Sequence, residues 1–570
     1  MSSESEEETE IRLIANVANT QYTVVKEVLS ESFDFKLSRS PTSNHWDLLW
    51  ADTGVNIDLL SKMKTHQKVN HFPTMYCLAQ KNNLARNLMR LRKVLPKEFA
   101  FFPETWLLPY EWTEFCKEFT GDNVFIIKPE ASCQGKGIYL AKSYEHINQK
   151  LPCVAQRYID KPYLVEGLKF DLRIYVLVYG CDPLRIFVYN EGLARFATEP
   201  YAKPNNNNIK DNFIHLTNYA INKKNDNFVF NDDEDNADIG HKRSLSSIWK
   251  YIDTHGGDSN KVKEQINRII VNSLCSVQMA LAHSYNAAQP WDTSNGKCFE
   301  ILGFDILLDH ELTPWLIEVN HSPSFKADTP FDMRVKSSLI EDTMTLINMK
   351  PRKFKRTRRK EFSKTRIKEQ LMKKKQKTMA KRDRYEIENL GGYTRIYPDG
   401  KNDEYYQKIL SAAESEWKGV VNKRKAERKE EMDMKSIKAL ACRERKIIPK
   451  NGIVVKPFIR STGKQRQMES EDGPELEKPI QFYSIAKRVL NKSNRRLMLI
   501  PRRNDTAKNL KCTLLLSFIG EKVKETKMVY GRVNHQISYE VNRRRVSIVP
   551  AKSRIRYLKR SQYGSFDSKY

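Results

Sequence analysis

The sequence predicts an α+β domain followed by a long basic extension. From about Asn44 to Lys350, strand-like and helix-like segments alternate in the manner of an α+β enzyme. The charge changes at the same point: residues 1–350 hold 39 Lys and Arg against 45 Asp and Glu, whereas residues 351–570 hold 59 against 25. With 40% apolar residues, the 570-residue chain can bury a sizeable core in at least part of its length.

These changes in composition divide the chain into four predicted parts. We expect a flexible leader over residues 1–35, a folded domain over 36–350, a cationic segment over 351–390 and a basic, partly disordered region over 391–570. Residues 351–385 contain 17 Lys and Arg against three Asp and Glu, which indicates a polyanionic partner. A nuclear localisation signal or a solvated tail would have the same composition.

Cysteine usage and the first residues indicate the compartment. The nine cysteines form no CxxC pair and no tightly spaced framework, so a disulfide scaffold or a zinc module is not expected. The acidic start MSSESEEETE is the opposite of a signal peptide or a mitochondrial presequence. No apolar run approaches the roughly 20 residues that span a bilayer. We therefore expect a cytoplasmic protein without a membrane partner.

Strand and helix patterns can be placed along the folded domain. The segments with strand composition are Phe125–Glu130, Gly137–Ala141, Cys153–Ile159, Phe170–Gly180 and Leu184–Tyr189. Helical periodicity runs through Lys263–Tyr285, where apolar residues recur on one stripe. In the C-terminal region, GGYTRIYPDG (391–400) is a candidate ordered patch, and Glu404–Leu440 is a candidate basic helix.

A predicted hairpin carries three oxygen-bearing side chains. Phe304–Leu308 and Trp315–Val319 read as strands joined by a turn-prone segment. Glu318 and Asn320 are two residues apart and share one face of the second strand, where Asp305 can join them from the first. Such hard ligands suit Mg²⁺, which takes its remaining ligands from phosphates and water. A solvated acidic edge on an ordinary hairpin is the alternative.

A second pattern resembles a phosphate-binding loop. Lys128 ends a predicted strand, and Gly135, Lys136 and Gly137 follow before the next strand begins. Glycines let backbone N–H groups approach phosphate oxygens closely, and the lysines add positive charge. The pattern lacks the GxxxxGK[ST] order of a Walker loop, and an ordinary β-turn would also explain it.

The order of further segments supports a nucleotide site. Residues 155–159 form an apolar strand whose backbone can meet an adenine edge, and residues 215–219 (HLTNY) supply hydroxyl and amide groups. Between them, Lys169, Asp171 and Arg173 alternate on one face of a strand. A nucleotide site needs lysines to bind phosphates, a backbone edge to meet the base and acidic side chains to hold magnesium. All three occur along the chain in a plausible order.

At this point the chain resembles the tubulin tyrosine ligase-like enzymes of the ATP-grasp superfamily, and most closely their polyglutamylases with a cationic microtubule-binding extension. The matching segments are IIKP (126–129), QGKGI (134–138), QRYI (156–159), KFDLRIYVLV (169–178), GLARFAT (192–198), HLTNY (215–219), GFDILLD (303–309) and LIEVNHSPSF (316–325). The resemblance covers roughly residues 40–350 and implies that residues 36–350 form an ATP-grasp catalytic domain.

The resemblance implies an ATP site, a metal site and a reaction. The implied ATP-binding residues are Lys128, Gln134, Gly135, Gln156, Arg157, Tyr158, Ile159, Lys169, Phe170, Asp171, Thr217 and Asn218. The implied ligands of Mg²⁺ are Asp305, Glu318 and Asn320. Family members phosphorylate a protein carboxylate with ATP and let the amine of an amino acid attack the acyl phosphate. Positioning and charge neutralisation dominate such chemistry, so no nucleophilic side chain is needed.

The same resemblance implies which amino acid is added. Arg195, Tyr219, Lys242 and Lys326 fall where glutamate-adding members hold the incoming amino acid, and two cations suit a substrate with a second carboxylate. Arg195, Lys326 and Glu318 are the implied catalytic residues. The Cys133–Gln134 pair and His321, a further implied substrate-binding residue, resemble members that elongate glutamate chains. An exposed surface charge is the alternative for each cation.

The basic segment fits the acidic tails of tubulin as a partner. A cationic helix would concentrate the enzyme on microtubules by salt-sensitive attraction. No nucleic-acid partner is expected, because the segment lacks an RRM, KH or zinc-knuckle pattern. We expect a monomer in the cytoplasm and on the cytoskeleton. The family makes the cilium axoneme and basal body plausible locations, although no targeting signal indicates them.

Two alternatives remain at the level of the sequence. One is another amino-acid ligase of the family, such as a glycylase or a tyrosine ligase. A tyrosine ligase would lack the basic extension, and a glycylase would have less use for Arg195 and Lys326 together. The other is a non-catalytic microtubule-binding protein on an ATP-grasp scaffold, which would often have lost one of the predicted metal ligands.

Overall fold

The computed structural model describes residues 12–130, 135–231, 238–349 and 364–447. All of them lie within one compact unit, Met1–Asn451. Residues 351–363 of the predicted cationic segment, and residues 448–570 of the C-terminal region, lie outside the described residues.

Strands and short helices alternate up to residue 349, which confirms the predicted mixed α+β fold. The strands are β1 Ile14–Asn19, β2 Lys36–Ser38, β3 Leu48–Ala51, β4 Lys68–Val69, β5 Thr105–Leu108, β6 Phe125–Pro129, β7 Tyr139–Ala141, β8 Cys153–Arg157, β9 Leu164–Val165, β10 Leu168–Cys181, β11 Leu184–Phe196, β12 Lys242–Ser244, β13 Glu300–Leu308, β14 Pro314–Asn320 and β15 Tyr393–Tyr397.

The α-helices lie between these strands and after them. They are α1 Thr23–Glu27, α2 Ile57–Lys62, α3 Tyr76–Ala79, α4 Lys81–Val94, α5 Trp112–Cys116, α6 Asn212–His215, α7 Tyr219–Asn222, α8 Leu245–Thr254, α9 Ser259–Cys275, α10 Gln278–Ala288, α11 Pro330–Ile347, α12 Lys364–Glu388 and α13 Asp403–Ile447.

The first sheet is parallel, with the strand order β2-β1-β3-β4. It corrects the prediction of a flexible leader for residues 12–35, because β1 is an inner strand and Ala15 and Val25 are fully buried. Residues 1–11 of the predicted leader lie outside the described residues. Strand β1 is short, and its partners follow it in the chain across intervening helix and loop, so local periodicity carries little sign of it. We call this layer the N-terminal sheet.

The second sheet has the order β12-β11-β10-β13-β14, with β15 added to β11 and β9 to β10. Its pairings are antiparallel. Alternate residues of β10 enter different cores: Ile174 belongs to the cluster that contains Ile270 of α9, and Tyr175 to the cluster that contains Leu339 of α11. This central sheet is therefore covered on both faces.

A third, antiparallel sheet with the order β5-β8-β6-β7 has a small aromatic core of its own. The Phe115 ring packs edge-on against those of Phe119 and Phe125, with both pairs of centroids 5.0 Å apart. Lys128 and the predicted adenine-binding strand lie on this sheet, so it positions one side of the candidate site.

The segment after residue 364 packs against the domain that precedes it. β15 pairs with β11, so residues 391–400 form the ordered patch that the sequence predicts. The predicted basic helix over Glu404–Leu440 is also confirmed, as α13. Ile409 of α13 is fully buried in the core that contains α9.

Candidate active site

An open cleft of about 650 Å³, including the part exposed to solvent, brings together residues of the small antiparallel sheet, the central sheet and the loop before α7. Its walls contain most of the residues predicted to bind ATP and two of the three predicted metal ligands. These are Lys128, Gln156, Arg157, Tyr158, Ile159, Lys169, Asp171, Thr217, Asn218, Asp305 and Glu318. Apolar side chains from Ile126, Ile138, Leu307 and Ile317 complete the walls.

Two buried lysines enter the cleft from different sheets. The ammonium of Lys128 donates to Gln156 Oε1 at 2.7 Å. The ammonium of Lys169 donates to the hydroxyl of Tyr158 at 2.8 Å and to the backbone oxygen of His215 at 2.9 Å. Neither lysine is paired with a carboxylate in these contacts, so both ammonium groups suit an anionic ligand.

Burial changes the pKa of both lysines. It lowers the pKa of Lys128 to about 8, although Glu318 opposes the change. It lowers the pKa of Lys169 to about 7; the Asp171 carboxylate opposes this change, and the charge of Lys128 adds to it. A polyphosphate in the cleft would supply negative charge and so offset the cost of burying the two ammonium groups.

The acidic side chains form a ladder across the central sheet. Arg195 of β11 lies opposite Asp171 of β10 and donates to its two oxygens at 2.7 and 2.5 Å. Arg173 of β10 lies opposite Asp305 of β13 and donates to it at 2.5 and 3.1 Å. Arg195 also reaches Asp305 at 2.8 Å, and Asp305 in turn lies opposite Glu318 of β14.

The predicted hairpin and its shared face are confirmed. Asn320 Nδ2 lies 3.3 Å from Asp305 Oδ2 and 3.3 Å from Glu318 Oε1, so the three side chains converge. Burial acts to raise the pKa of Asp305, but the guanidiniums of Arg173 and Arg195 hold it well below its usual range.

Within the described part of the chain, no guanidinium is paired with Glu318, and the cations that act to lower its pKa are Lys81 and Lys128. Burial raises the pKa of Glu318, and the charge of Asp305 raises it further. Two facing carboxylates fit a hard divalent cation, which would offset their repulsion, and the Asn320 amide would turn its oxygen toward such an ion in place of the nitrogen that faces the carboxylates here. The role of Asp305, Glu318 and Asn320 as Mg²⁺ ligands stays a prediction.

The loop after β6 approaches the region before α7 closely. Gly135 has a φ of +77°, and a Cβ at this position would lie 2.6 Å from the Cδ1 of Ile221 and 3.0 Å from the side chain of Asn218. The positive φ favours glycine here, and any side chain would also displace the end of the Ile221 side chain. The predicted ligand Gln134 and its neighbour Cys133 lie outside the described residues.

Two of the described residues predicted to bind ATP, Gly135 and Phe170, are not among those that line the cleft. Phe170 lies between Lys169 and Asp171 on β10, so its side chain points to the opposite face of the strand. There it is 1% exposed and stacks on Phe196 at 5.3 Å between ring centroids. Only its backbone can face the cleft, so a role for Phe170 in ATP binding stays a prediction for its backbone.

Three of the predicted amino-acid-binding residues form a second cluster. The ammonium of Lys242 lies 4.0 Å from the centroid of the Tyr219 ring and pairs with Asp332 at 2.5 Å. Asp328 accepts from the Tyr219 hydroxyl at 2.9 Å and pairs with Lys326 at 2.6 Å. The side chain of Lys326 is 66% exposed, so it remains accessible to a ligand.

His321 lies apart from this cluster. Its ring packs edge-on against that of His71, with centroids 5.8 Å apart. Both rings line a smaller cavity of about 250 Å³ between the N-terminal sheet and the segment after β14. His321 follows Asn320 directly in the chain, but it lines this smaller cavity, which Tyr219 and Lys242 do not line.

Several residues of the site have no predicted role. Arg173 shares its face with Lys169 and Asp171, and that alternation was a usable signal for its place in the ladder. Asp328 and Asp332 neutralise the predicted cations, but they precede or begin α11, where acidic residues are common at a helix N-terminus. Nothing local in the sequence distinguishes them.

The chain is similar to proteins of one family. The profile of the tubulin-tyrosine ligase family matches residues 59–357. A probable beta-tubulin polyglutamylase of Tetrahymena thermophila is 46% identical over 424 residues, which are 71% of this chain and 36% of that protein. The mouse tubulin polyglutamylase TTLL6 is 40% identical over 428 residues, or 73% of this chain and 51% of the relative.

A more distant relative adds a third comparison. The Xenopus tropicalis tubulin polyglutamylase TTLL7 is 34% identical over 441 residues, which cover 70% of this chain and 48% of the relative. The chain spans about half the length, or less, of these curated relatives.

Proposed function

The chain belongs to the tubulin-tyrosine ligase family, and from this premise we propose that it is an ATP-dependent ligase that adds L-glutamate to the acidic C-terminal tails of tubulin. The observation that carries the proposal is the convergence of Lys128 and Lys169 with the carboxylates of Asp305 and Glu318 in one cleft. Paired cations and paired carboxylates are what a nucleotide with a divalent cation requires.

The residues of the cleft support a division of labour. Lys128 and Lys169 would bind the phosphates, while the backbone of residues 156–159 would meet the base. Asp305 and Glu318, with Asn320, would hold Mg²⁺, which supplies charge neutralisation at the phosphates when it is bound. Their convergence on one face, in the cleft that Lys128 and Lys169 also line, supports this role.

The chemistry needs positioning and positive charge. A carboxylate oxygen of the acceptor glutamate attacks the terminal phosphorus of ATP, and ADP leaves. The amine of the incoming glutamate then attacks the acyl carbon, phosphate leaves and the amine proton is released. Arg195 and Arg173 both bind the Asp305 carboxylate, which lines the cleft. We propose that their positive charge helps to stabilise the negative charge that develops on the transferred group.

The choice of glutamate rests on the second cluster. Lys242 and Lys326 are held near Tyr219 by the carboxylates of Asp332 and Asp328. Two ammonium groups beside a phenol suit an amino acid that carries two carboxylates. His321 and the Cys133–Gln134 pair favour elongation of existing glutamate chains as the finer assignment.

The test is incubation of the full chain with microtubules, ATP, Mg²⁺ and one radiolabelled amino acid at a time. We expect ATP-dependent incorporation of glutamate, with little glycine or tyrosine. Incorporation of glycine or tyrosine without glutamate would contradict the proposal, and so would binding to microtubules with no incorporation of any of the three.

The shifted lysines predict that ATP binding depends on pH. In the free protein the pKa of Lys169 is about 7 and that of Lys128 about 8. Bound phosphates would raise both pKa values, so binding takes up protons and affinity falls as the pH rises from about 7 to about 9. Calorimetry in buffers of different ionisation enthalpy measures this uptake. An affinity that stays constant over this range would contradict the assignment of the two lysines.

Exposed lysines on α12 predict a salt-sensitive attachment to microtubules. Lys373, Lys374, Lys377 and Lys381 are exposed. They can attract the acidic tails of tubulin over several ångströms in low salt. Replacing Lys373 and Lys374 with glutamate should weaken microtubule binding by about tenfold or more in low salt. A co-sedimentation assay at several salt concentrations measures the change.

A matched control separates the position of the charge from its amount. Lys62 and Lys117 are equally exposed but lie on α2 and directly after α5. Their replacement with glutamate should leave microtubule binding close to that of the parent chain. Equal losses for the two pairs would show a non-specific charge effect and contradict a role for α12.

The wider setting follows from the same proposal. We propose a place on the microtubule cytoskeleton, with the cilium axoneme and basal body as candidate locations, and a monomeric enzyme. No helix among the described residues is long and apolar enough to cross a membrane.

A further inference from the structure

The residues that follow β14 form an irregular segment with a prominent place in the candidate site. Residues 321–329 contain no helix or strand, begin directly after the predicted metal ligand Asn320 and carry Lys326. We call them the substrate segment. Because no backbone ladder holds it, side-chain contacts must determine where Lys326 lies.

A buried ion pair lies beneath the start of the substrate segment. His71 Nδ1 lies 2.8 Å from Glu300 Oε1, and His71 Nε2 lies 2.8 Å from the backbone oxygen of Ala51. The other oxygen of Glu300 accepts from the backbone N–H of Phe72 at 2.8 Å. His71 and Glu300 are 2% and 1% exposed, so this network joins the N-terminal sheet to β13 within the core.

The network has the residue types of a metal site, but both ring nitrogens of His71 are engaged in hydrogen bonds. His71, Glu300 and His321 offer ligand atoms within 4.8 Å of one another. A metal would need a lone pair on a His71 nitrogen, yet both nitrogens lie 2.8 Å from oxygen atoms that can accept a hydrogen bond. Burial acts to lower the pKa of His71, but the charge of Glu300 raises it above its usual value, so this geometry favours a hydrogen-bonded pair over a metal site.

Aromatic contacts connect the substrate segment to this network and to the N-terminal sheet. The His321 ring packs edge-on against His71, with an interplanar angle of 68°. Further along the segment, Phe325 is 5% exposed and packs edge-on against Trp50 at 5.9 Å and Tyr22 at 5.8 Å between ring centroids. The segment is thus held on both sides of Pro323 by residues of the N-terminal layer.

We infer that the His71–Glu300 pair and the Phe325–Trp50 contact are positioning devices for amino-acid binding, because together they hold the substrate segment that presents Lys326. This inference rests on the proposed function. It assigns the N-terminal sheet a part in substrate binding, since Trp50 lies on β3 of that sheet, His71 follows its strand β4, and neither residue lines the nucleotide cleft.

The chemistry of Glu300 provides a variant that separates geometry from charge. In Glu300→Gln, a neutral His71 can accept from the new amide N–H and still donate to Ala51, while the amide oxygen accepts from Phe72. The hydrogen-bonded geometry is kept and the charge is lost. Glu300→Ala removes both and leaves the buried His71 without its partner.

The experiment measures KM for glutamate and KM for ATP in the full chain with Phe325→Leu, Glu300→Ala and Glu300→Gln. We expect Phe325→Leu and Glu300→Ala to raise KM for glutamate by about tenfold, with KM for ATP within about twofold of the parent value. Glu300→Gln, unlike Glu300→Ala, should keep KM for glutamate close to the parent value. His66→Gln, just before β4, is the control and should change neither value.

The outcomes distinguish positioning from a purely structural role. Equal increases in both KM values, or a lowered melting temperature with an unchanged KM for glutamate in Phe325→Leu, would overturn the inference. If Glu300→Ala does not fold, Phe325→Leu and Glu300→Gln still decide. A parent chain that incorporates no glutamate would refute the proposed function, whereas an active parent with an unchanged Phe325→Leu refutes this inference alone.

Discussion

Replacement of Glu318 with glutamine is expected to lower ligation by about 10³-fold or more, because it removes one of two charges that would hold the magnesium ion. The side chain keeps its volume. Burial and Asp305 already raise the pKa of Glu318, so a neutral amide relieves repulsion. We expect the melting temperature without metal to be unchanged or higher. Glutamate incorporation and calorimetry on the same preparation measure the two effects.

Glu311 offers a matched control for this substitution. It is an exposed carboxylate in the turn that joins β13 to β14, so it shares the hairpin but not the cleft. Glu311→Gln should keep full ligation. A Glu318→Gln enzyme as active as the parent would contradict the metal assignment.

Replacement of Glu386 with alanine is expected to lower the free energy of unfolding by about 3–5 kcal/mol. Arg185 of β11 is 2% exposed and donates its Nε–H to Glu386 Oε2 at 3.0 Å. Arg382 donates to the other carboxylate oxygen at 2.6 Å and lies over the ring of Tyr179. Without Glu386, the guanidiniums of Arg185 and Arg382 would lose the carboxylate that they share between α12 and the central sheet. Urea unfolding monitored by circular dichroism measures the loss.

The neighbouring Glu388 separates this effect from helix propensity. It lies on the same helix but is exposed, so Glu388→Ala should change the free energy of unfolding by less than about 0.5 kcal/mol. Equal effects of the two substitutions would contradict the docking of α12 on the central sheet. A large loss in Glu386→Ala alone means that the exposed lysines of α12 are carried on a rigid part of the domain.

The arrangement of the hairpin could be predicted because it depends on local alternation. Asp305, Glu318 and Asn320 share a face as a consequence of the two-residue period of strands, and one turn joins the strands that carry them. The same rule places Lys169 and Asp171 together. It also places Phe170 on the other face, a consequence that the motif-based prediction did not take into account.

Contacts between distant parts of the chain could not be predicted in this way. The partners Arg185 and Glu386 are 201 residues apart in sequence, and His71 and Glu300 are 229 apart. Nothing in the local pattern around any of the four indicates its partner. For the same reason, the sequence analysis assigned β1 to a flexible leader.

The predicted helix over Lys263–Tyr285 shows a smaller limit of periodicity. The chain forms α9 and α10, with a break at Ser276 and Val277, where Val277 has φ and ψ of −117° and −2°. The Ser276 hydroxyl donates to the backbone oxygen of Ser273 at 2.6 Å and competes with the helical pattern. The apolar stripe continues across the break, so the pattern alone predicts one helix.

The most direct test of the proposed function is mass spectrometry of tubulin tails after incubation with the full chain, ATP, Mg²⁺ and glutamate. The proposed function predicts tail peptides that gain whole glutamate residues, attached through glutamate side chains or at the end of an existing glutamate chain, and only when ATP is present. Unmodified tails after incubation with a folded chain that binds ATP would contradict it.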